Sequence, residues 1–222
     1  MKNKKPRVSV IVLAGAILLT APTAGSQVPS SRGQQVLPEN PFDRSLVLLG
    51  QGKYMEAKAG FDADIAKNPR HLEAYYYRGV AWLRMANRDA AWEGFNKALE
   101  IKPEFPLGYV GRAEVQLARK NYVEAEKEIN KALALDMDCA EAYYQKGLLF
   151  GYLKRLDEAV SSFQKCLGLV PTHAYANYQL GLAYNQKKRK DLTVVHLEKF
   201  LALAPLAPEA PQVRNLLNFL KR

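Results

Sequence analysis

Pro69, Pro103, Pro171 and Pro205 fall on a lattice of 34 residues, with Met137 in the vacant place. Three further columns hold the same register: Ala57, Ala91, Ala125, Ala159 and Thr193; Phe61, Phe95, Ile129, Phe163 and Leu197; and the small set Ser45, Gly79, Ala113, Gly147 and Gly181. Four columns in step over five copies, without an insertion, restrict the chain to an array in which one supersecondary unit is stacked on itself.

Each unit reads as two helices. In the second copy Tyr75, Gly79 and Trp82 are spaced i, i+4, i+7, and after a break at Ala86 to Arg88 the residues Ala91, Phe95, Ala98 and Leu99 show the same spacing. Two amphipathic helices joined by a short turn form an antiparallel hairpin. A Gly or Ala on the first helix facing an Ala on the second lets the backbones approach closely, and the aromatic or Ile one turn further on fills the space beside them. Proline ends the second helix in four of the five copies, since it cannot continue the hydrogen-bond ladder and disfavours helical geometry in the residue before it. Pro106, off the lattice, also lies at a boundary.

These columns resemble the tetratricopeptide repeat family, whose helix-turn-helix unit carries the same small, Ala, Phe and Pro positions. The resemblance covers residues 38–207, about three quarters of the chain. It implies an all-α, right-handed superhelical α-solenoid of five repeats, at 38–71, 72–105, 106–139, 140–173 and 174–207. The first copy has Asp64 where later ones have Ala98, Ala132 and Cys166, and the fifth has Thr193 and Phe200. Terminal repeats with one unpaired face are expected to depart in this way. Segment 208–222 puts Val213, Leu216, Leu217 and Leu220 on one face and Arg214, Asn215, Asn218 and Lys221 on the other, the pattern of a capping helix.

The amino terminus reads as an address. Lys2, Lys4, Lys5 and Arg7 precede an apolar run from Val8 to Leu19, followed by small residues ending Ala24, Gly25, Ser26. That is a signal-peptide pattern over 1–26, with cleavage expected after Ser26. The twelve apolar residues fall short of the roughly 20 that span a bilayer. Residues 27–40, rich in Ser, Gln, Gly and Pro, read as a flexible leader. The mature chain is therefore expected in a periplasmic or secreted, oxidising setting, with membrane contact only if the first segment stays uncleaved.

A composition of 48% hydrophobic and 24% charged residues excludes a disordered tail. The formal charge is +10, of which the four cations before residue 8 supply four, so the remainder is only mildly basic. Two cysteines exclude a disulfide-dense mini-domain and a four-cysteine zinc site. The three histidines, His71, His173 and His196, show no ligand spacing; His71 and His173 share a place at repeat junctions that suits a surface. With no nucleophile, phosphate-loop or dinucleotide motif either, no enzymatic role, metal or cofactor is expected.

The first helices carry a second apolar stripe one residue around from the hairpin seam. It includes Phe42, Tyr76, Leu83, Val110, Leu117, Tyr144, Leu148, Tyr178 and Leu182. The resemblance implies that such a stripe lines a concave groove, where Tyr76, Tyr144 and Tyr178 would anchor an extended peptide or amphipathic helix. The alternative is that the stripe only packs neighbouring first helices together, since a buried face can be 100° wide or more. Some members of the family hold acidic carboxyl-terminal tails through Lys, Asn and Arg along that groove. Here the matching places are apolar, apart from Glu114, so the expected partner is an apolar or amphipathic protein segment.

Lys187 to Lys190 form a basic run in the last repeat's turn, which fits phosphate head groups, nucleic acid or an acidic protein, or a solvated loop. Nucleic acid is not expected, since binding it needs phosphate contacts spread along a surface and secretion argues against it. Cys139 and Cys166 come to the same end of one hairpin, so a disulfide is conceivable, although Cys166 sits in the small-residue column of Ala98 and Ala132. Together these features lead to the expectation of a non-catalytic scaffold of the bacterial cell envelope. The alternative from another class is a structural or self-associating envelope protein tethered by its N-terminal segment.

Overall fold

The computed structural model describes residues 12–13, 16–17 and 38–221. Val12–Leu13 (β1) and Ala16–Ile17 (β2) pair antiparallel, Val12 opposite Ile17. Apart from those four residues, the segment expected to be a signal peptide, 1–26, and the expected leader up to residue 37 lie outside the described residues.

The remainder is helical. Five hairpins follow in order: α1 (Pro41–Gly50) with α2 (Tyr54–Lys67), α3 (Leu72–Arg84) with α4 (Arg88–Ile101), α5 (Pro106–Ala118) with α6 (Tyr122–Leu135), α7 (Ala140–Tyr152) with α8 (Leu156–Leu169), and α9 (Ala174–Gln186) with α10 (Lys190–Leu203). A last helix, α11 (Ala210–Leu220), packs on α10. Each second helix also packs on the first helix of the next hairpin, and successive first helices touch side by side. The result is a right-handed superhelical α-solenoid, with α1, α3, α5, α7 and α9 as its inner wall.

The repeating columns hold the seams together. Ala57, Ala91, Ala125, Ala159 and Thr193 are buried, as are Phe61, Phe95, Ile129, Phe163 and Leu197. The Phe95 ring lies against Gly79 of its own hairpin and Gly111 of the next, so closely that a Cβ at either glycine would collide with it. The Phe163 ring leaves no room for a Cβ at Gly147 in the same way. One large apolar side chain per repeat, aromatic in three of the five, thus fills its own hairpin and, at Phe95, the joint to the following one. Full burial of such a side chain stabilises by about 1.5–3 kcal/mol.

The helix junctions follow from local chemistry. Asn40 caps α1, its side chain accepting from the Phe42 amide at 2.9 Å, with Pro41 in the first turn where no amide is needed. Asn87 accepts from the Ala90 amide in the same way at the start of α4. Each first helix ends on a residue with positive φ, and these residues form a fifth column of period 34: Gly52, Ala86, Lys120, Lys154 and Lys188, with φ between 58° and 78°. Around Lys120, its amide donates to the Leu117 carbonyl and the Asn121 amide to the Gln116 carbonyl, both at 2.9 Å. This is the Schellman closure, which satisfies carbonyls that the helix end leaves free. Glycine takes the left-handed conformation without strain, whereas an L side chain there costs roughly 1–2 kcal/mol.

Candidate interaction groove

Among the described residues the inner wall carries two larger clefts above a small pocket. One, of about 230 Å³, lies across α3, α5 and α7 and is lined by Leu83, Arg84, Arg88, Glu114, Leu117, Gln145, Leu148 and Tyr152. The other, of about 260 Å³, lies between α7 and α9 and is lined by Leu148, Tyr152, Leu156, Phe163, Gln179 and Leu182. They meet at Leu148 and Tyr152. A cavity of about 150 Å³ already admits a benzene-sized group, so each cleft has room for one large side chain.

The nine residues expected in the groove separate into two groups. Leu83, Leu117, Leu148 and Leu182 line the clefts. Tyr76 and Tyr144 are buried and, with Val110, line only a small pocket of about 30 Å³ under the first cleft, so they do not stand out as exposed anchors. The Tyr76 ring packs edge-on against Tyr77 and Phe105 and beside Phe95, with centroids 5.0 to 5.8 Å apart. The Tyr144 ring packs against Phe163 at 5.9 Å and His173 at 4.7 Å. Val110 is also buried. Phe42 and Tyr178 are half-buried against Phe61, His71 and Tyr77 in one case and Tyr175 and Phe200 in the other. The physical reason is that this helical position points at the junction between its own second helix and the next repeat, so a ring there is enclosed by both.

Beneath the first cleft is a polar floor of which the sequence reading singled out only Glu114. Arg84 donates to the Glu114 carboxylate at 2.7 Å across 30 residues, and this carboxylate raises the guanidinium's affinity for its proton. Beside them, burial raises the pKa of the Glu141 carboxyl and of the Tyr76 and Tyr144 hydroxyls, favouring their uncharged forms. Gln145 is buried with its carbonyl oxygen unpartnered. Tyr152, over half exposed, stacks on Tyr122 at 5.9 Å and forms the wall between the clefts. Arg84 directly follows Leu83 of the recognised stripe, and Tyr152 stands in the same column of the 34-residue lattice two repeats later. Reading that next column along the helix would have found both.

Of the two cysteine readings the structure has the buried thiol, and the surface placing of His173 is corrected. Cys139 and Cys166 are free, buried thiols in separate apolar clusters, Cys139 with Val110, Ala132 and Ala142, and Cys166 with Phe163, Ala174 and Leu197. Burial pushes the Cys139 thiol up to about 12 and raises Cys166 as well, so neither is a thiolate at neutral pH. His173 does not lie on the surface: it is 1% exposed, caps α9 by accepting the Ala176 amide on Nδ1 at 3.0 Å, and burial lowers its pKa to about 4. His71, in the same lattice position, is partly exposed and pairs with Asp64.

A stacked array of helical hairpins with an open inner wall is the architecture of repeat proteins that hold other chains. Family models described as tetratricopeptide repeat match residues 42–104 and 140–173, so these segments are tetratricopeptide repeats. It is similar to a tetratricopeptide repeat and J domain-containing co-chaperone, DNJ1, of Fusarium oxysporum f. sp. lycopersici. The two are 33% identical over 98 residues, which is 42% of this chain but only 18% of that protein. Among solved structures, the thermophilic tetratricopeptide repeat protein TTC0263 of Thermus thermophilus superposes with a TM-score of 0.71 at 22% identity, over 82% of this chain and 97% of that one. A tetratricopeptide repeat protein of Parabacteroides merdae gives 0.69 at 19% identity, over 82% and 70%. At these identities the structural likeness establishes the fold. Tetratricopeptide repeat proteins are generally protein-interaction scaffolds, and the fold is typically non-catalytic.

Proposed function

We propose that this protein is a non-catalytic adaptor of the bacterial cell envelope that holds an apolar or amphipathic segment of a partner protein against its inner wall. The observation that carries this reading is the pair of clefts meeting at Leu148 and Tyr152, each sized for one large side chain. Leu83, Leu117, Leu148 and Leu182 offer apolar contact, and the Arg84–Glu114 pair with Gln145 offers hydrogen bonds to a backbone or polar side chain. Two pockets one repeat apart suit a segment that places anchors at a fixed spacing. The envelope setting rests on the basic and apolar pattern of residues 1–26.

A photo-crosslinking residue at Tyr152 or Leu182, introduced into the native host, tests both parts. The reading expects a specific envelope protein crosslinked at these positions, loss of that product on Leu148→Glu, and no product from a crosslinker at Lys97 on α4. Equal products from Lys97, or a product that survives Leu148→Glu with helical circular dichroism intact, would remove the groove reading. Mass analysis of the chain recovered from the host should find Gln27 as its first residue.

A further inference from the structure

We propose that the edge of the solenoid formed by the turns within the hairpins docks on an anionic lipid surface. The charges are polarised between the two edges. The turns at 51–54, 85–89, 119–122, 153–157 and 187–191 carry ten Lys or Arg against three Asp. The connections on the opposite edge, at 67–73, 101–107, 135–141, 169–175 and 203–209, carry three Lys or Arg against six Asp or Glu. All three Asp of the basic edge are already engaged, Asp89 by Arg119, Asp157 by Lys187 and Asp191 by Arg189. Among the described residues, Lys53, Arg88, Lys120, Lys154, Lys188 and Lys190 have no ion-pair partner there. Neighbouring helices pack about 8–10 Å apart, close to the screening length of about 8 Å at physiological ionic strength. Adjacent turns therefore act on an anionic surface together.

The lysines hold this edge against local preference. Lys120, Lys154 and Lys188 occupy the left-handed position that Gly52 fills in the first repeat without strain. The same edge carries exposed apolar side chains, Met55 and Val123 just inside α2 and α6 and Leu153 just past α7, with Val123 68% and Met55 64% exposed; Met137 and Leu206 are exposed on the opposite edge too, but there they stand among carboxylates. Cations interleaved with exposed apolar groups match an acyl interface beneath charged head groups. A nucleic acid or an acidic polypeptide would use the cations but leave the aliphatic side chains in water, so lipid is the occupant that uses both. Lys120, Lys154 and Lys188 line neither cleft, and the inference does not rest on the groove reading.

Vesicle co-sedimentation of the full chain provides the test, with phosphatidylcholine alone and with phosphatidylglycerol added. The comparison is between wild type and Lys120→Gly/Lys154→Gly/Lys188→Gly, so any contribution of the N-terminal segment is common to both. At about fivefold per cation, the triple variant should bind anionic vesicles of order a hundredfold more weakly, while its thermal midpoint rises. Leu153→Asn/Val123→Asn should weaken vesicle binding and leave binding to polyglutamate unchanged. Equal partitioning of wild type and triple variant overturns the proposal. So does binding to polyglutamate or an oligonucleotide that exceeds binding to anionic vesicles.

Discussion

His71 and His173 occupy the same lattice position three repeats apart, and each ring packs at 4.7 Å on the aromatic of the preceding first helix, Phe42 in one case and Tyr144 in the other. Their surroundings are nonetheless opposite. The His71 side chain is 26% exposed and its Nδ1 meets Asp64. The His173 side chain is buried and its Nδ1 caps a helix. The difference traces to one column, in which Asp64 stands where Cys166 lies three repeats later. An interior repeat closes that column with apolar contacts, while the first repeat closes it with a His71–Asp64 polar contact that still reaches water. Equivalent backbone positions therefore do not imply equivalent chemistry in such an array.

The comparison can be broken most directly at the aromatic column. Phe163→Ala should cost about 3–5 kcal/mol, read as a lower denaturant midpoint for the whole array, because Phe163 lies between repeats that have neighbours on both sides. Phe61→Ala removes a ring just as buried, yet the loss should concentrate in α1 and α2, which among the described residues bear no further helical repeat on their outer face. Hydrogen exchange should then show those two helices opening while α7 to α10 stay protected. A global loss of equal size in both variants would show that the terminal repeat is as tightly coupled as the interior one.

The histidines sharpen the comparison through pH. His173 has a folded pKa of about 4 against an ordinary value of 6.5, so the unfolded chain binds the proton first. The stability it allows is present above pH 6.5 and is lost as pH falls towards 4, by up to roughly 3 kcal/mol. Denaturant midpoints should fall across that window in the wild type and flatten in His173→Asn, which keeps a capping side chain. The smallest effect is expected at the first repeat. Asp64→Ala removes a partly exposed pair and should cost under about 1 kcal/mol, less in high salt.

The hairpin seams were legible in the sequence because burial there depends on shape alone. Phe95, Phe163 and the facing glycines fill one space in each repeat, and a side chain of the wrong size fits none of them. The left-handed column was not legible beyond Gly52, since Ala86 and three lysines carry no turn signal of their own. Nor was the polar floor of the groove: Arg84 and Glu114 are 30 residues apart, and nothing in either helix alone requires the other. Tyr76 and Tyr144 were placed on the correct face, but helical periodicity assigns a face and cannot divide it between a neighbouring helix and open solvent.

The sequence by itself determined the unit and its stacking, because a helix with a small-residue seam and a terminal proline has few ways to bury itself other than against copies of its own pattern. Only the tertiary structure decided which side chains were left open. That choice depends on the angle at which successive hairpins meet, which encloses Tyr76, Tyr144 and His173, leaves Leu148, Leu182 and Tyr152 along the inner wall, and brings the unpaired lysines of separate repeats onto one edge.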